Sequence, residues 1–159
     1  MSSRAWLPAL ALVLACDAGP DTDPLVADCE ASGVFALELA IPEGDEPELI
    51  HGLQGGTHLI LAAELRTPDP LERYQVSLRA ETGQAPCVED GCAAWVEVGG
   101  FARELDSEHG EVEPLGPEAV ELNDLFVVVD GWALAPRRRL SLEVSDVCGR
   151  SASTLRTFE

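Results

Sequence analysis

Apolar side chains recur at every second position through most of this chain, and that spacing restricts it to β-structure. Phe35, Leu37, Leu39 and Ile41 alternate with Ala36, Glu38 and Ala40. Leu59, Leu61, Ala63 and Leu65 form one side of the next run, and Glu64 and Arg66 lie on the other. Tyr74, Val76, Leu78 and Ala80 alternate with Arg73, Gln75, Ser77, Arg79 and Glu81. Leu140, Leu142 and Val144 alternate with Arg139, Ser141 and Glu143. A period of two places one set of side chains on each face of a strand, so these runs predict half-buried antiparallel strands. Residues 94–101 and 125–129 are more uniformly apolar, and the second run suits a central strand covered on both sides. Gly-, Pro- and Asp-rich breaks separate the runs, and no long amphipathic helix interrupts them. About seven or eight such strands predict a single β-sandwich over residues 29–159.

A different pattern precedes the alternation. Residues 1–4 carry one Arg, residues 5–15 are an unbroken apolar stretch of eleven, and Cys16 follows. This has the layout of a secretory signal. Eleven helical residues at about 1.5 Å each fall short of a hydrocarbon core of about 30 Å, so the stretch does not anchor by spanning. Val13-Leu14-Ala15-Cys16 resembles the lipobox of bacterial lipoproteins, with Val where Leu is commoner. The resemblance implies cleavage after residue 15 and acylation of Cys16. Two or more acyl chains would hold the chain on a membrane. Asp17 resembles an inner-membrane retention signal of enterobacterial lipoproteins, a rule that other lineages do not follow, so either membrane fits. Residues 16–28 then read as the lipidated Cys and a flexible acidic tether, with four Asp and two Pro in residues 17–28.

The expected export gives the remaining cysteines a role. Cys29, Cys87, Cys92 and Cys148 are even in number, and an oxidising compartment favours two disulfides. Cys87 and Cys92 flank a short turn-rich insert, so a local bridge is natural, and Cys29 would pair with Cys148. Four thiolates on zinc are the alternative, but paired Cys-x2-Cys units are missing.

The formal net charge is −19, from 29 acidic and 10 basic residues, all of the latter Arg. Nucleic-acid binding is excluded as an expectation, because phosphate neutralisation needs a basic face. A polybasic lipid-docking patch is excluded likewise. Residues 104–124 hold eight carboxylates and no Arg, and predict a decorated loop or an extra edge hairpin. Oxygen-rich segments suit calcium, but no D-x-D-x-D-G spacing occurs here, so a solvated face is the expectation. Arg137, Arg138 and Arg139 are expected to pair with neighbouring carboxylates at a strand start.

His51-Gly52-Leu53-Gln54-Gly55-Gly56-Thr57-His58 is the most distinctive internal segment. It resembles a G-x-Q-G-G-x-H segment of secreted lipoproteins of high-GC Gram-negative bacteria, which implies export and no particular activity. The residues themselves allow two readings. His51, Gln54 and His58 form a candidate ligand or metal loop. Alternatively the glycines make a structural turn and His58 opens a strand on its polar side. A two-His metal site needs a third ligand that the sequence does not place, so no cofactor is expected.

Catalytic motifs are missing: no G-x-S-x-G, P-loop, H-E-x-x-H or G-x-G-x-x-G occurs. A small envelope hydrolase built on a carboxylate pair is the weakest of the alternatives, since carboxylates are abundant everywhere. Of the tryptophans, Trp95 is expected in the core beside Cys92, and Trp132 is expected to be exposed. At the C-terminal end Asp146 and Gly149 lie in a segment, residues 142–152, that resembles the final hairpin of bacterial immunoglobulin-like and PKD-like domains. That resemblance makes the expected fold an immunoglobulin-like antiparallel β-sandwich. The functional expectation is a lipid-anchored, non-catalytic binding module of the cell envelope. Its partners would be the membrane, through the N-terminal lipid, and another envelope protein or a glycan. A metal-binding accessory protein using His51 and His58 is the second expectation.

Overall fold

The computed structural model describes residues 29, 33–42, 44–52, 56–88 and 91–159. Cys16, the preceding apolar stretch and most of the tether lie outside the described residues, as does Gln54.

Among the described residues nine strands follow one another: β1 Ala36–Leu39, β2 Leu49–His51, β3 Thr57–Arg66, β4 Arg73–Val88, β5 Gly91–Asp106, β6 Val112–Gly116, β7 Ala119–Val128, β8 Arg138–Ser145 and β9 Ser151–Phe158. They form two antiparallel sheets. The first has the order β1-β3-β7-β6, with β2 also paired to β3, and the second the order β5-β4-β8-β9. The expected antiparallel sandwich is therefore present, with more strands than the alternation alone distinguishes. The additional pieces are short: β2 has three residues and β6 has five.

The core lies between the sheets. Leu59, Leu61, Ala63 and Leu65 of β3 and Val120, Leu122, Leu125 and Val127 of β7 face Tyr74, Val76, Leu78 and Ala80 of β4 and Leu140, Leu142 and Val144 of β8. All are buried, and each large aliphatic side chain there stabilises the fold by roughly 1.5–3 kcal/mol relative to exposure. Tyr74 also accepts a hydrogen bond from the Leu71 backbone N–H (2.8 Å), and burial pushes its phenol pKa up.

Three expectations are corrected or refined here. Residues 125–129 are not covered on both sides: Leu125, Val127 and Val129 point inward, whereas Phe126 and Val128 are exposed. The inward parity changes within β7, from even at Leu122 to odd at Leu125. The cause is one extra residue between the register pairs Ala63–Leu122 and Leu61–Leu125, with Asp124 at φ 55°. The tryptophans exchange roles. Trp132 is buried at 1% exposure and meets Phe158 edge-on, plugging the end of the sandwich just after β7. Trp95 is only half-buried, because the β4–β5 hairpin continues beyond the last β4–β8 pair, Thr82–Arg138. Residues 104–124 form the end of β5, a tight turn and the β6–β7 edge hairpin.

Both expected disulfides form. Cys29–Cys148 (S–S 2.07 Å) joins the chain before β1 to the β8–β9 turn. Cys87–Cys92 (2.09 Å) clasps the overhanging hairpin. Gly83 lies under that clasp: a Cβ there would come within 2.2 Å of Cys92 Sγ. Farther along the same hairpin a Cβ on Gly99 would meet Val128 O at 2.0 Å, so only glycine lets β5 close against β7.

Candidate functional site

The His loop spans β2 and the start of β3. In the register Ile50 lies opposite His58, and His51 lies opposite Thr57. Neighbouring residues on a strand project to opposite faces. His51 therefore shares the Thr57 face, where its Nδ1 and Thr57 Oγ1 share a hydrogen bond at 3.3 Å. His58 takes the other face, where its Nε2 lies 2.8 Å from the position a Gly52 Cβ would occupy. The two imidazoles do not converge, so the ribbon does not assemble a shared two-His metal site. His58 instead stacks on Phe126, with centroids 4.7 Å apart, and its buried Nδ1 has no hydrogen-bond partner.

Among the described residues, Asp106, His109 and Glu111 bring three metal-capable groups together in the turn after β5. These groups already satisfy one another. Asp106 Oδ1 accepts from the His109 backbone N–H (2.9 Å) and pairs with His109 Nδ1 (2.7 Å). Glu111 accepts from Arg103 Nη1 and from the Asp106 backbone N–H. The His109 hydrogen bond holds the Asp106 carboxyl below its ordinary value, and the same bond raises the His109 imidazole. The arrangement closes a turn. The acidic composition alone suggests calcium for this stretch, whereas the part of His109 depends on the geometry of the turn.

The outer face of the first sheet carries a feature that sequence reasoning missed. Its positions are those of β3 that alternate with the buried leucines: His58, Ile60, Ala62, Glu64 and Arg66. At one end His58 lies between Ile50 and Val128, and Ile60 lies opposite Phe126. Ile50, Ile60, Phe126 and Val128 are 38%, 44%, 45% and 53% exposed, and they form one contiguous patch around the His58 ring. Toward the other end the register aligns Glu38 with Glu64, Glu64 with Glu121, and Glu121 with Glu113. A row of glutamates thus crosses β1, β3, β7 and β6. Among the described residues, Arg66, donating from Nε to Glu64 Oε1 (3.0 Å), and Asn123, at 3.5 Å from Glu121 Oε2, are bonded to it. A shallow groove of about 530 Å³ continues from Glu64 and Arg66 past Thr67, Pro68 and Glu118. The sequence signal for the patch was the apolar run at 125–129; the glutamate row depends on register and has no local signal.

Elsewhere the three consecutive arginines before and in β8 are each matched to a carboxylate. Arg138 forks onto Glu46 (2.8 and 2.9 Å), Arg137 reaches Glu159 (2.6 Å), and Arg139 forks onto Glu81 (2.7 and 3.1 Å) while lying 4.3 Å from the Trp95 ring centre.

No protein-family model matches the chain, and no curated protein matches it. A solved structure is similar at low level: DesR, a beta-glucosidase from Streptomyces venezuelae in complex with D-glucose, at 15% identity and a TM-score of 0.32. The match covers 80% of this chain and only 16% of that one. Nothing about activity or ligand transfers at that similarity.

Proposed function

We propose that this protein is an exported, lipid-anchored envelope lipoprotein that acts as a non-catalytic binding module. The anchor rests on Val13-Leu14-Ala15-Cys16 and on the two disulfides, which suit an oxidising compartment. The binding role is carried by one observation: the contiguous exposed patch of Ile50, Ile60, Phe126 and Val128 on a sandwich whose core is otherwise closed. The chemistry available for catalysis is sparse. The four described cysteines are all in disulfides, His51 and His58 face apart, and His109 is held by Asp106. A protein partner is favoured over a glycan. Trp132 is buried and Arg139 covers one face of the half-buried Trp95, which narrows the tryptophan surface on which a sugar could stack. Nucleic acid is disfavoured by the charge of −19.

Mass measurement of the mature N-terminus tests the anchor. The chain is expected to begin at an acylated Cys16, and Cys16→Ser is expected to abolish both the modification and membrane retention. A mature chain with unmodified Cys16 contradicts the reading. Crosslinking from native membranes tests the module. A recovered partner supports it, whereas stoichiometric bound metal with no partner would reverse it in favour of a metal accessory role.

A further inference from the structure

The two halves of the first sheet's outer face differ in chemistry, and together they specify a partner. The apolar half centres on Ile60 and Phe126, which lie opposite one another. The acidic half is the row Glu38, Glu64, Glu121 and Glu113. Along β3 the two are separated by the four-residue step from Ile60 to Glu64, about 13 Å at 3.3 Å per residue. Like charges directly opposite on neighbouring strands destabilise a sheet. Three such oppositions occur in this row, and Arg66 is the one Arg ion-paired to it among the described residues. A cationic side chain laid across the row would relieve the repulsion, while an apolar side chain on the same segment would cover Phe126.

The geometry points to docking of a basic amphipathic protein segment on this face, with apolar side chains over Ile60, Phe126 and Val128 and Arg or Lys side chains over the glutamate row. This rests on the binding-module reading and deepens it by naming the surface and the partner's chemistry. Charge decides among occupants. A second copy would bring another formal charge of −19 against the first. An anionic bilayer surface would be repelled by the same row.

The test uses the full chain, in detergent if acylated, with three short synthetic peptides: one alternating Leu and Arg, one with each Leu replaced by Ser, and one with each Arg replaced by Glu. The Leu-Arg peptide is expected to bind about tenfold more tightly than either control, with weakening by salt. Its amide-shift perturbations are expected on β3 and β7. Phe126→Ser and Glu121→Gln are each expected to weaken it about fivefold, and Leu155→Ser on the other sheet to leave it unchanged. Glu121→Gln is also expected to melt no lower than the parent, which separates lost binding from lost folding. Several results overturn the proposal: equal binding of the Ser-Arg peptide, insensitivity to Phe126→Ser, perturbations elsewhere, a dimer that buries Phe126 in sedimentation and crosslinking, or binding of the Cys16→Ser chain to anionic vesicles that Phe126→Ser abolishes. If the proposal fails while native-membrane crosslinking recovers a partner at another surface, the binding-module reading stands. If no partner is recovered at any surface, both fail.

Discussion

The two outer faces of the sandwich are built on the same alternation, yet they differ in what they leave exposed. On the second sheet, several polar side chains bond one another across the strands. Arg139 lies opposite Glu81, forks onto it and covers one face of Trp95, and Gln75 bonds Glu104 at 2.9 Å. Glu81 also faces Glu97, but the Arg139 guanidinium is bonded to Glu81. On the first sheet, four glutamates align across the strands with one Arg bonded to them, and four large apolar side chains are exposed beside them. The second face also exposes Leu155, at 61%, but on the first face the exposed apolar side chains are cross-strand neighbours.

The largest expected effect concerns what holds the two faces together. Cys29→Ser with Cys148→Ser opens a link spanning 119 residues, and the loop-entropy account gives a loss of about 4–5 kcal/mol. Denaturant unfolding should show one transition shifted as a whole, with amide exchange rising in both sheets. A loss confined to β1 would mean that the bridge secures only the chain start.

Next in size is Arg139→Ala. It removes a forked ion pair and a cation–π contact from the second sheet, for an expected cost of about 1–2 kcal/mol. A neutral result would remove the contrast between the faces. On the first sheet the sign should reverse. Glu121→Gln relieves two like-charge oppositions, with Glu64 and with Glu113, and should raise stability by about 0.2–1 kcal/mol. A loss of stability would show that the row is satisfied in the free protein.

The smallest effect lies at the turn that carries the chain from one sheet to the other. His109 is raised by Asp106, so its contribution is complete below the ordinary His value of 6.5 and fades as pH rises through the folded value. Asp106 is lowered, so its contribution is complete above 3.8 and fades as pH falls through its folded value. The pair should therefore support the turn most between those limits. Asp106→Asn should return the His109 titration, followed by NMR, toward its ordinary value; an unchanged titration would break the assignment.

What the sequence made legible was whatever depends on local alternation and spacing. The inward leucines of β3 and β8, Tyr74 and Val76, the short disulfide of Cys87 and Cys92 and the residual pairing of Cys29 with Cys148 all follow from position along the chain. Cross-strand neighbours do not. Glu38, Glu64, Glu113 and Glu121 become one row only through the registers of four strands, and registers are set by the whole fold. The extra residue at Asp124 reversed the parity of β7, so an apolar run that looked doubly covered turned Phe126 outward. Trp95 departs from expectation for a similar reason: its pairing with Gly83, two residues beyond the outward Glu81, puts it on the outer face, where Arg139 covers one side of the ring. A metal loop requires His51 and His58 to converge, and the pleat sends them to opposite faces.

The asymmetry between the faces is tested most directly by site-specific photocrosslinking in the native envelope, with the crosslinker placed at position 126 and, separately, at position 155. Position 126 should yield a protein adduct whose crosslinked peptide is both basic and apolar, and position 155 should yield none. Adducts at 155 alone, or none at 126, would contradict a docking role for the first sheet.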